Sequence, residues 1–239
     1  MSIHSKTKNY SESGSVFYII MLGIVLFAAI STVVVQSGKG GTSAISDEKA
    51  EIYAAEIIQY AVSMSGAVRR MQMVNECADE DISFYKANVT SAVYLHVPDV
   101  ATKCQVYHPD GGGMSYQEPR LEWLQYTTFQ EWLMTGNNCM KNIGTFSPSS
   151  CSASEAELTM TLYGLKKEVC DRINKKLGVV VSAPPSESIN SGRFNGSYPA
   201  SNFVGGVHAA TAGKKGYCIL DTDGSTANHY TFIYAIIPR

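Results

Sequence analysis

An uncharged run at residues 16–35 constrains this chain more than any other feature. The run reads VFYIIMLGIVLFAAISTVVV, and its only polar residues are Ser31 and Thr32. A bilayer core of about 30 Å is crossed by roughly 20 apolar residues in a helix. A helix packed in a soluble core would show a polar face, and this run has none. The sequence therefore predicts one transmembrane helix over residues 16–36.

The charges that flank this run predict its orientation. Lys6 and Lys8 outnumber Glu12 in the head of residues 1–15. Long downstream domains cross a membrane largely regardless of their charge, so the short head decides the orientation. We expect the head to be a cytoplasmic head or leader and the chain after the span to be translocated. A cleavable secretory signal is the alternative, but its apolar core is usually shorter and ends in small residues.

The cysteines all follow the predicted span, on the side of the membrane where disulfides persist. Zinc sites use closely spaced pairs such as C-x-x-C, and no such pair occurs here. We therefore expect a framework of structural disulfides. The sequence does not choose among the possible pairings, although pairing neighbours in order is favoured because each bridge then closes a local loop. The cysteines are Cys77, Cys104, Cys139, Cys151, Cys170 and Cys218.

The net charge of the chain gives little sign of a charged partner. The formal net charge is −2 at pH 7, and no basic stripe is present. Nucleic-acid binding depends on clustered lysine and arginine. We therefore expect no nucleic acid as a partner. The expected membrane partner follows from the uncharged run at 16–35.

Residues 37–75 are predicted to form a linker and an amphipathic stalk helix. A flexible break, SGKGGTS at 37–43, precedes Ser46, which is a good helix N-cap, and Asp47 follows it. Apolar residues then recur at helical spacing on one face. This face either packs on the rest of the domain, which we favour, or packs on other copies of the chain. Its members are Ile57, Ala61, Met64, Val68 and Met71.

Residues 76–239 are predicted to form a disulfide-rich α+β domain, with an antiparallel sheet and one packed helix. Short β-type runs occur at 82–85, 92–97, 105–107 and 126–134, the last ending at Gly136. A glycine-rich loop at 109–113 is expected to take a positive φ. Strands at 216–221 and 230–237 flank a turn and predict a C-terminal hairpin.

Residues 154–177 give the clearest helical pattern in the chain. Ser154 and Glu157 form a capping box, an apolar stripe follows, and Gly178 marks the end. The stripe is Leu158, Leu162, Leu165, Val169, Ile173 and Leu177. The lysines in the second half form a solvated face or, less simply, a site for a phosphate or lipid headgroup; they are Lys166, Lys167, Lys175 and Lys176.

The sequence contains no catalytic motif that we recognise, so we expect no enzyme, no catalytic residue, no cofactor and no metal site. No H-E-x-x-H, G-x-S-x-G or Walker sequence occurs. The acidic run at 79–81 lacks the order of a calcium loop. Asp221 and Asp223 fit a hairpin turn better than an EF-hand fragment. Four aromatic residues form either a carbohydrate-stacking shelf or, as we favour, part of the core; they are Trp123, Tyr126, Phe129 and Trp132.

Together, these features resemble the type IV pilin and pseudopilin superfamily. The resemblance rests on a short polar head with Gly14 before an uncharged helix, an amphipathic extension, and a β-containing domain with a C-terminal disulfide loop. It implies cleavage after Gly14 by a prepilin peptidase, with Ser15 as the new N-terminus. It also implies that Cys170 and Cys218 bound the C-terminal disulfide loop. Two positions depart from the family pattern, since Ser15 replaces the usual Phe and Ile19 replaces the usual Glu.

The chain is also similar to a group of proteobacterial membrane-anchored proteins, but this second resemblance implies no activity. The shared segments are an N-x-C sequence at 75–77, a P-x-G-G-G loop at 109–113 and a W-x-x-T-G sequence at 132–136.

The first functional hypothesis is a minor pilin-like or pseudopilin-like subunit of a cell-envelope filament or secretion apparatus. Gly23, Ala28 and Ser31 are small residues that allow close helix packing within a bilayer. The partners of such a subunit would be other pilin-like subunits or envelope assembly proteins. Its location would be the bacterial inner membrane as a single-pass protein, with the C-terminal domain in the periplasm or on a surface filament. The alternatives are an anchored periplasmic ligand- or protein-binding module and, less favoured, an anchored hydrolase.

Overall fold

The computed structural model describes residues 46–86, 101–126, 128, 130–144, 151–189, 192–199, 209–222 and 228–239, with Ile20 and the backbone of 202–204. The described residues from Asp47 onward belong to one compact unit. In chain order its helices and strands are α1 (Asp47–Val74), β1 (Leu133–Met140), β2 (Glu157–Leu165), α2 (Lys167–Lys176), β3 (Ser186–Glu187), β4 (Asn202–Val204), β5 (Gly216–Asp221) and β6 (His229–Ile237).

The predicted transmembrane helix lies outside the described residues, apart from Ile20. No helix in the described part of the chain is both long enough and apolar enough to cross a membrane.

One six-stranded sheet forms the centre of the unit, in the strand order β3-β5-β6-β2-β1-β4. The four central strands, β5, β6, β2 and β1, pair antiparallel with one another. The edge strands β3 and β4 pair parallel to β5 and β1. The α+β prediction is confirmed, but the sheet is mixed rather than wholly antiparallel. The segment between α2 and β5 supplies both edge strands, one to each edge of the sheet.

The helix α1 forms where the sequence predicts it. Asp47 and Glu48 occupy its first turn, where the helix dipole favours negative charge. Ser65 donates a hydrogen bond of 3.0 Å from its Oγ to the carbonyl oxygen of Ile236 and so ties α1 to β6. The predicted apolar stripe is completely buried and is confirmed as a core face; its residues are Ile57, Ala61, Met64, Val68 and Met71.

Three disulfides join neighbouring cysteines in order, which confirms the favoured pairing. Cys77–Cys104 links the end of α1 to a 3₁₀ turn at Thr102–Cys104. Cys139–Cys151 links β1 to the segment before β2. Cys170–Cys218 joins α2 to β5. Next to this bridge, the Asn174 side chain donates to the carbonyl oxygen of Cys218 and accepts from its N–H, each at 2.8 Å.

The single helix predicted over residues 154–177 is wrong, because its first half is the strand β2. Every residue of β2 is buried, since the strand lies between β1 and β6 with both faces covered. The strand alternates, with Leu158, Met160 and Leu162 on one side and three buried polar side chains on the other. Its leucines are also four and then three residues apart, a spacing that imitates a helix. The buried polar side chains are Glu157, Thr159 and Thr161. Only residues from Lys167 form the helix α2, which ends before Gly178 at a φ of +68°.

The predicted cap at Glu157 is also wrong. Glu157 is fully buried in β2, and its carboxyl Oε2 accepts a hydrogen bond of 2.8 Å from the N–H of Met140. Glu157 therefore joins β2 to β1 instead of beginning a helix.

The strand predicted to end at Gly136 instead begins at Leu133 and continues beyond that glycine. A Cβ at Gly136 would lie 2.9 Å from the Phe194 ring and from the carbonyl oxygen of Ser197. Gly136 therefore allows the covering loop to approach the strand closely, and it does not end the strand.

The remaining β predictions have mixed outcomes. The runs at 82–85 and 105–107 are reduced to one bridge between Ser83 and Gln105. The run at 92–97 lies outside the described residues. The C-terminal hairpin is confirmed, because β5 and β6 pair antiparallel from Gly216 with Tyr234 to Asp221 with His229. The predicted positive φ in the glycine-rich loop is found at Gly113, at +62°.

Candidate functional site

The site residues predicted for the N-terminal segment lie outside the described residues. They are the cleavage pair Gly14 and Ser15 and the helix-packing residues Gly23, Ala28 and Ser31. These assignments therefore stay predictions. The six cysteines are all described, and all are held in disulfides.

The acidic run after Cys77 contacts an arginine. Asp79 Oδ2 lies 3.3 Å from Arg239 Nε, and Glu80 Oε1 lies 3.6 Å from Arg239 Nη2. The same guanidinium lies over the ring of Tyr198, 3.8 Å from its centroid. In the described part of the chain, no group of His, Cys, Asp or Glu is arranged to hold a metal ion. The acidic run thus ties Arg239 to the end of α1.

The aromatic residues of the 123–132 segment belong mainly to the core. Trp123 and Trp132 are both buried, whereas Tyr126 is partly exposed and Phe129 lies outside the described residues. Trp132 packs on Tyr60 of α1 with ring centroids 5.0 Å apart. A flat, exposed stacking shelf therefore does not form from the two tryptophans.

The basic residues of α2 make ion pairs, two of them with the start of α1. Lys176 Nζ lies 2.6 Å from Glu51 Oε1, and Arg172 Nη2 lies 2.8 Å from Asp47 Oδ1. Hydrogen bonding to Lys176 lowers the pKa of Glu51. These contacts favour a structural role for the lysines over a phosphate or lipid-headgroup site.

A second set of α1 residues, which we call the outer face, points away from the buried stripe. The side chains of Ile52, Val62 and Met73 are 56%, 51% and 78% exposed. Large apolar side chains aligned on one exposed helix face are typical of interaction surfaces. The outer face consists of Ile52, Ala55, Gln59, Val62, Gly66 and Met73, all of them exposed.

A shallow, largely apolar groove runs beside the outer face. Its volume is about 360 Å³, and it lies between Ala55 and Val62 of α1 and Leu177 at the end of α2. The groove widens the apolar surface that a neighbouring helix would meet. Such a surface binds by packing and offers no catalytic chemistry.

Gly66 is the most informative residue of the outer face. Glycine inside a helix is less favourable than alanine by about 0.5–1 kcal/mol. Glycine is often retained where another part of the chain approaches closely, but a Cβ at Gly66 would meet no atom within 4 Å. The fold of the described unit therefore gives no reason for this glycine. Close approach of a partner at the outer face would give one.

The buried carboxyl of Glu157 has a strongly shifted pKa. Burial raises its pKa to about 8, although the Met140 N–H and Arg239 act to lower it. Burial also raises the pKa of Tyr217, with added effects of Glu187 and Glu157. At neutral pH, Glu157 is therefore mostly uncharged in the folded protein. A buried, neutral carboxyl bonded to the main chain is a structural feature of the sheet.

Comparison of the chain with family models, with curated proteins and with solved structures finds no match. The function must therefore be argued from the residues of this chain.

The outer face was missed in the sequence, although its signal is present there. Ile52, Gln59, Val62, Gly66 and Met73 recur at helical spacing, just as the buried stripe does. Spacing alone does not show which of two apolar faces is covered by the same chain. That distinction requires the packing of α1 on β6.

Proposed function

We propose that this chain is a minor pilin-like or pseudopilin-like structural subunit of a bacterial cell-envelope filament or secretion apparatus. The outer face of α1, with an exposed glycine that the fold does not explain, is the observation that carries the proposal. Further support comes from the order of the elements: a polar head, an uncharged run, a long amphipathic helix, and a sheet closed by the Cys170–Cys218 loop.

The proposed subunit is a single-pass protein of the inner membrane with its described unit outside the cytoplasm. The basic head supports this orientation, and the three disulfides support an oxidising location. Alkaline phosphatase, which is active only after export, should be active when fused to the C-terminal end. An inactive fusion at normal expression would contradict the orientation.

Assembly is proposed to use two parts of the chain. Within the membrane, Gly23, Ala28 and Ser31 would let helices approach, because packing rather than release of water drives association there. Outside the membrane, the outer face of α1 would pack on neighbouring subunits. Gly23→Leu and Gly66→Leu would each place a large side chain where a partner comes close.

The test is the amount of subunit recovered in material sheared from the cell envelope. We expect Gly23→Leu, Ala28→Leu and Gly66→Leu to reduce recovery while the described unit stays folded. Val180→Leu is the matched control, because Val180 is 89% exposed and lies outside α1. Normal recovery of all three variants would contradict assembly through these residues. Sequencing of the mature N-terminus would show whether Ser15 follows a cleavage.

A second candidate function is a membrane-anchored periplasmic binding module without catalysis. The observation that favours it is a polar cleft between α1 and the segment before β1. A monomeric protein that keeps its head, combined with ligand binding at this cleft, would support this function over the first.

A further inference from the structure

Opposite charges flank the outer face of α1 at its two ends. Glu48 precedes the outer face and Arg69 lies beside its far end, and both side chains are exposed. Within the described part of the chain, neither of them forms an ion pair. The outer-face residues between them carry no charge; they are Ile52, Ala55, Gln59, Val62 and Gly66. A face that is acidic at one end and basic at the other is complementary to a copy of itself turned end for end.

The basic end of this face holds two cations close together. Burial, and after it the charge of Arg69, lowers the pKa of Lys215. Lys215 Nζ donates a hydrogen bond of 2.9 Å to Ser65 Oγ, and among the described residues it forms no ion pair. Like charges held near each other disfavour the charged forms. A carboxylate supplied by a partner would offset this repulsion.

The charges match when two α1 helices run antiparallel with Gln59 facing Gln59 of the second copy. In that arrangement, residues at equal distances before and after position 59 face each other. Glu48 of each copy then lies next to Arg69 of the other copy, at both ends of the pair. The uncharged residues of the two outer faces meet between these ends.

The same arrangement matches the sizes of the side chains. Ile52 faces Gly66 of the second copy, and Val62 faces Ala55, so each large side chain meets a small one. The distance between two packed helix axes depends on the side chains at the contact. Gly66, which no atom of the described unit approaches within 4 Å of a Cβ, would then receive the isoleucine of the second copy.

Parallel arrangements lose one of these two matches. Without a shift, Glu48 would face Glu48, and Gly66 would face Gly66. With a shift that brings Ile52 to Gly66, Glu48 would lie against the apolar Val62. With a shift that brings Glu48 to Arg69, Gly66 would lie beyond the end of the other helix, because α1 begins at Asp47. Only the antiparallel arrangement satisfies charge and size together.

We propose that α1 binds α1 of a second copy of this chain as an antiparallel, two-fold pair centred on Gln59, with Glu48 of each copy next to Arg69 of the other. This inference rests on the proposed function, in which the outer face packs on other subunits, and it names the partner and the direction of packing. The linker predicted at 37–43 separates α1 from the predicted span, so the direction of the span does not fix that of α1. A two-fold contact closes at two copies, so further growth of an assembly would rest on the predicted span.

The test is cysteine crosslinking of the full-length protein in intact cells with a short bis-maleimide. Gln59→Cys places the two thiols beside the two-fold axis, so we expect a covalent dimer. Ile52→Cys separates them by about 21 Å along the pair, at 1.5 Å per residue, so we expect none. The two positions report the direction of packing, because an unshifted parallel pair would crosslink at both and a parallel pair shifted as above would crosslink at neither.

Charge reversals test whether the ends of the pair meet as proposed. Glu48→Arg and Arg69→Glu should each lower the dimer yield of Gln59→Cys about threefold or more, because each brings like charges together at both ends. Both reversals in one chain should restore the yield. Lys49→Glu is the matched control, since Lys49 is exposed on the same turn but lies off the outer face, and it should leave the yield unchanged. Retained melting temperatures would show that the variants are folded.

Three outcomes would overturn the proposal. Dimers from both Gln59→Cys and Ile52→Cys would show a parallel pair. A dimer yield that neither reversal lowers would remove Glu48 and Arg69 from the contact. No dimer from Gln59→Cys would contradict the centre of the pair; if Val62→Cys still crosslinked, the outer face would remain an association surface, whereas no crosslink at either position would contradict the proposed function as well.

Discussion

The two faces of α1 have similar spacing but opposite surroundings. On the inner face, Ile57 and Met64 are completely buried against the same chain, and Ser65 bonds to β6. On the outer face, Ile52 and Val62 are more than half exposed. Both faces carry apolar side chains at helical intervals. The comparison teaches that one helix can carry two apolar stripes of which the described unit covers only one.

The glycine on the outer face sharpens this difference. Gly136 and Gly111 are explained by close approach of the same chain, because a Cβ at either would lie within 3 Å of its neighbours. Gly66 meets nothing within 4 Å. The described unit therefore accounts for the inner face, whereas the outer face is the one that we propose to pack on other subunits.

The largest expected effect comes from truncating one isoleucine on each face. Ile57→Ala should lower the free energy of unfolding by about 2–5 kcal/mol, because it leaves a cavity in the core. Ile52→Ala should change it by no more than about 0.5 kcal/mol, since the side chain is mostly exposed. Urea unfolding followed by tryptophan fluorescence measures both. Equal losses would mean that Ile52 is also part of the core.

A rise in pH from 5 to 8 should lower the free energy of unfolding without altering either face of α1. Burial raises the pKa of Glu157 from its ordinary 4.5 to about 8 in the folded protein. Stability from this group is fully present below pH 4.5 and falls as the pH rises toward 8, by at most about 1.4 kcal/mol per pH unit. Glu157→Gln should remove this loss, as measured by urea unfolding across the same pH range.

The control for the pH prediction is Glu48→Gln, at an exposed position in the first turn of α1. This variant should keep the wild-type dependence on pH. A wild-type stability that stays flat from pH 5 to 8 would contradict a neutral Glu157 in the folded protein. Assembly through the outer face should persist at pH 8 wherever the unit remains folded.

The smallest expected effect on stability has the opposite sign. Gly66→Ala should raise the free energy of unfolding by about 0.5–1 kcal/mol, because alanine favours the helix and its Cβ meets no atom. The same variant should reduce recovery of the subunit in sheared envelope material. Greater stability with undiminished assembly would show that Gly66 is not kept for the approach of a partner.

The sequence predicted α1, the C-terminal hairpin and the disulfide framework because each leaves a local signal. A helix buried on one side keeps its period, and adjacent strands joined by a turn keep their alternation. The signal failed at β2, where leucines four and three residues apart imitate a helix although polar and apolar residues alternate along the strand. It failed again at Gly136, because the reason for that glycine is a loop distant in sequence.

The candidate sites were less predictable than the fold. Trp123 was expected in the core and lies there, yet its place beside the polar cleft depends on how the segment before β1 packs against α1. The outer face was visible only as a second apolar spacing. Exposure is a property of the packed unit, so the sequence alone does not reveal which apolar residues stay uncovered.

The most direct test of an outer face that packs on other subunits is site-specific crosslinking in intact cells. All native cysteines are in disulfides, so a cysteine introduced at Val62 would be the only free thiol. Val180→Cys is the matched control, since Val180 is 89% exposed and Val62 is 51% exposed. With a short bis-maleimide, we predict a covalent dimer from Val62→Cys and none from Val180→Cys. No dimer from Val62→Cys, or equal dimer from both variants, would contradict packing of subunits through the outer face of α1.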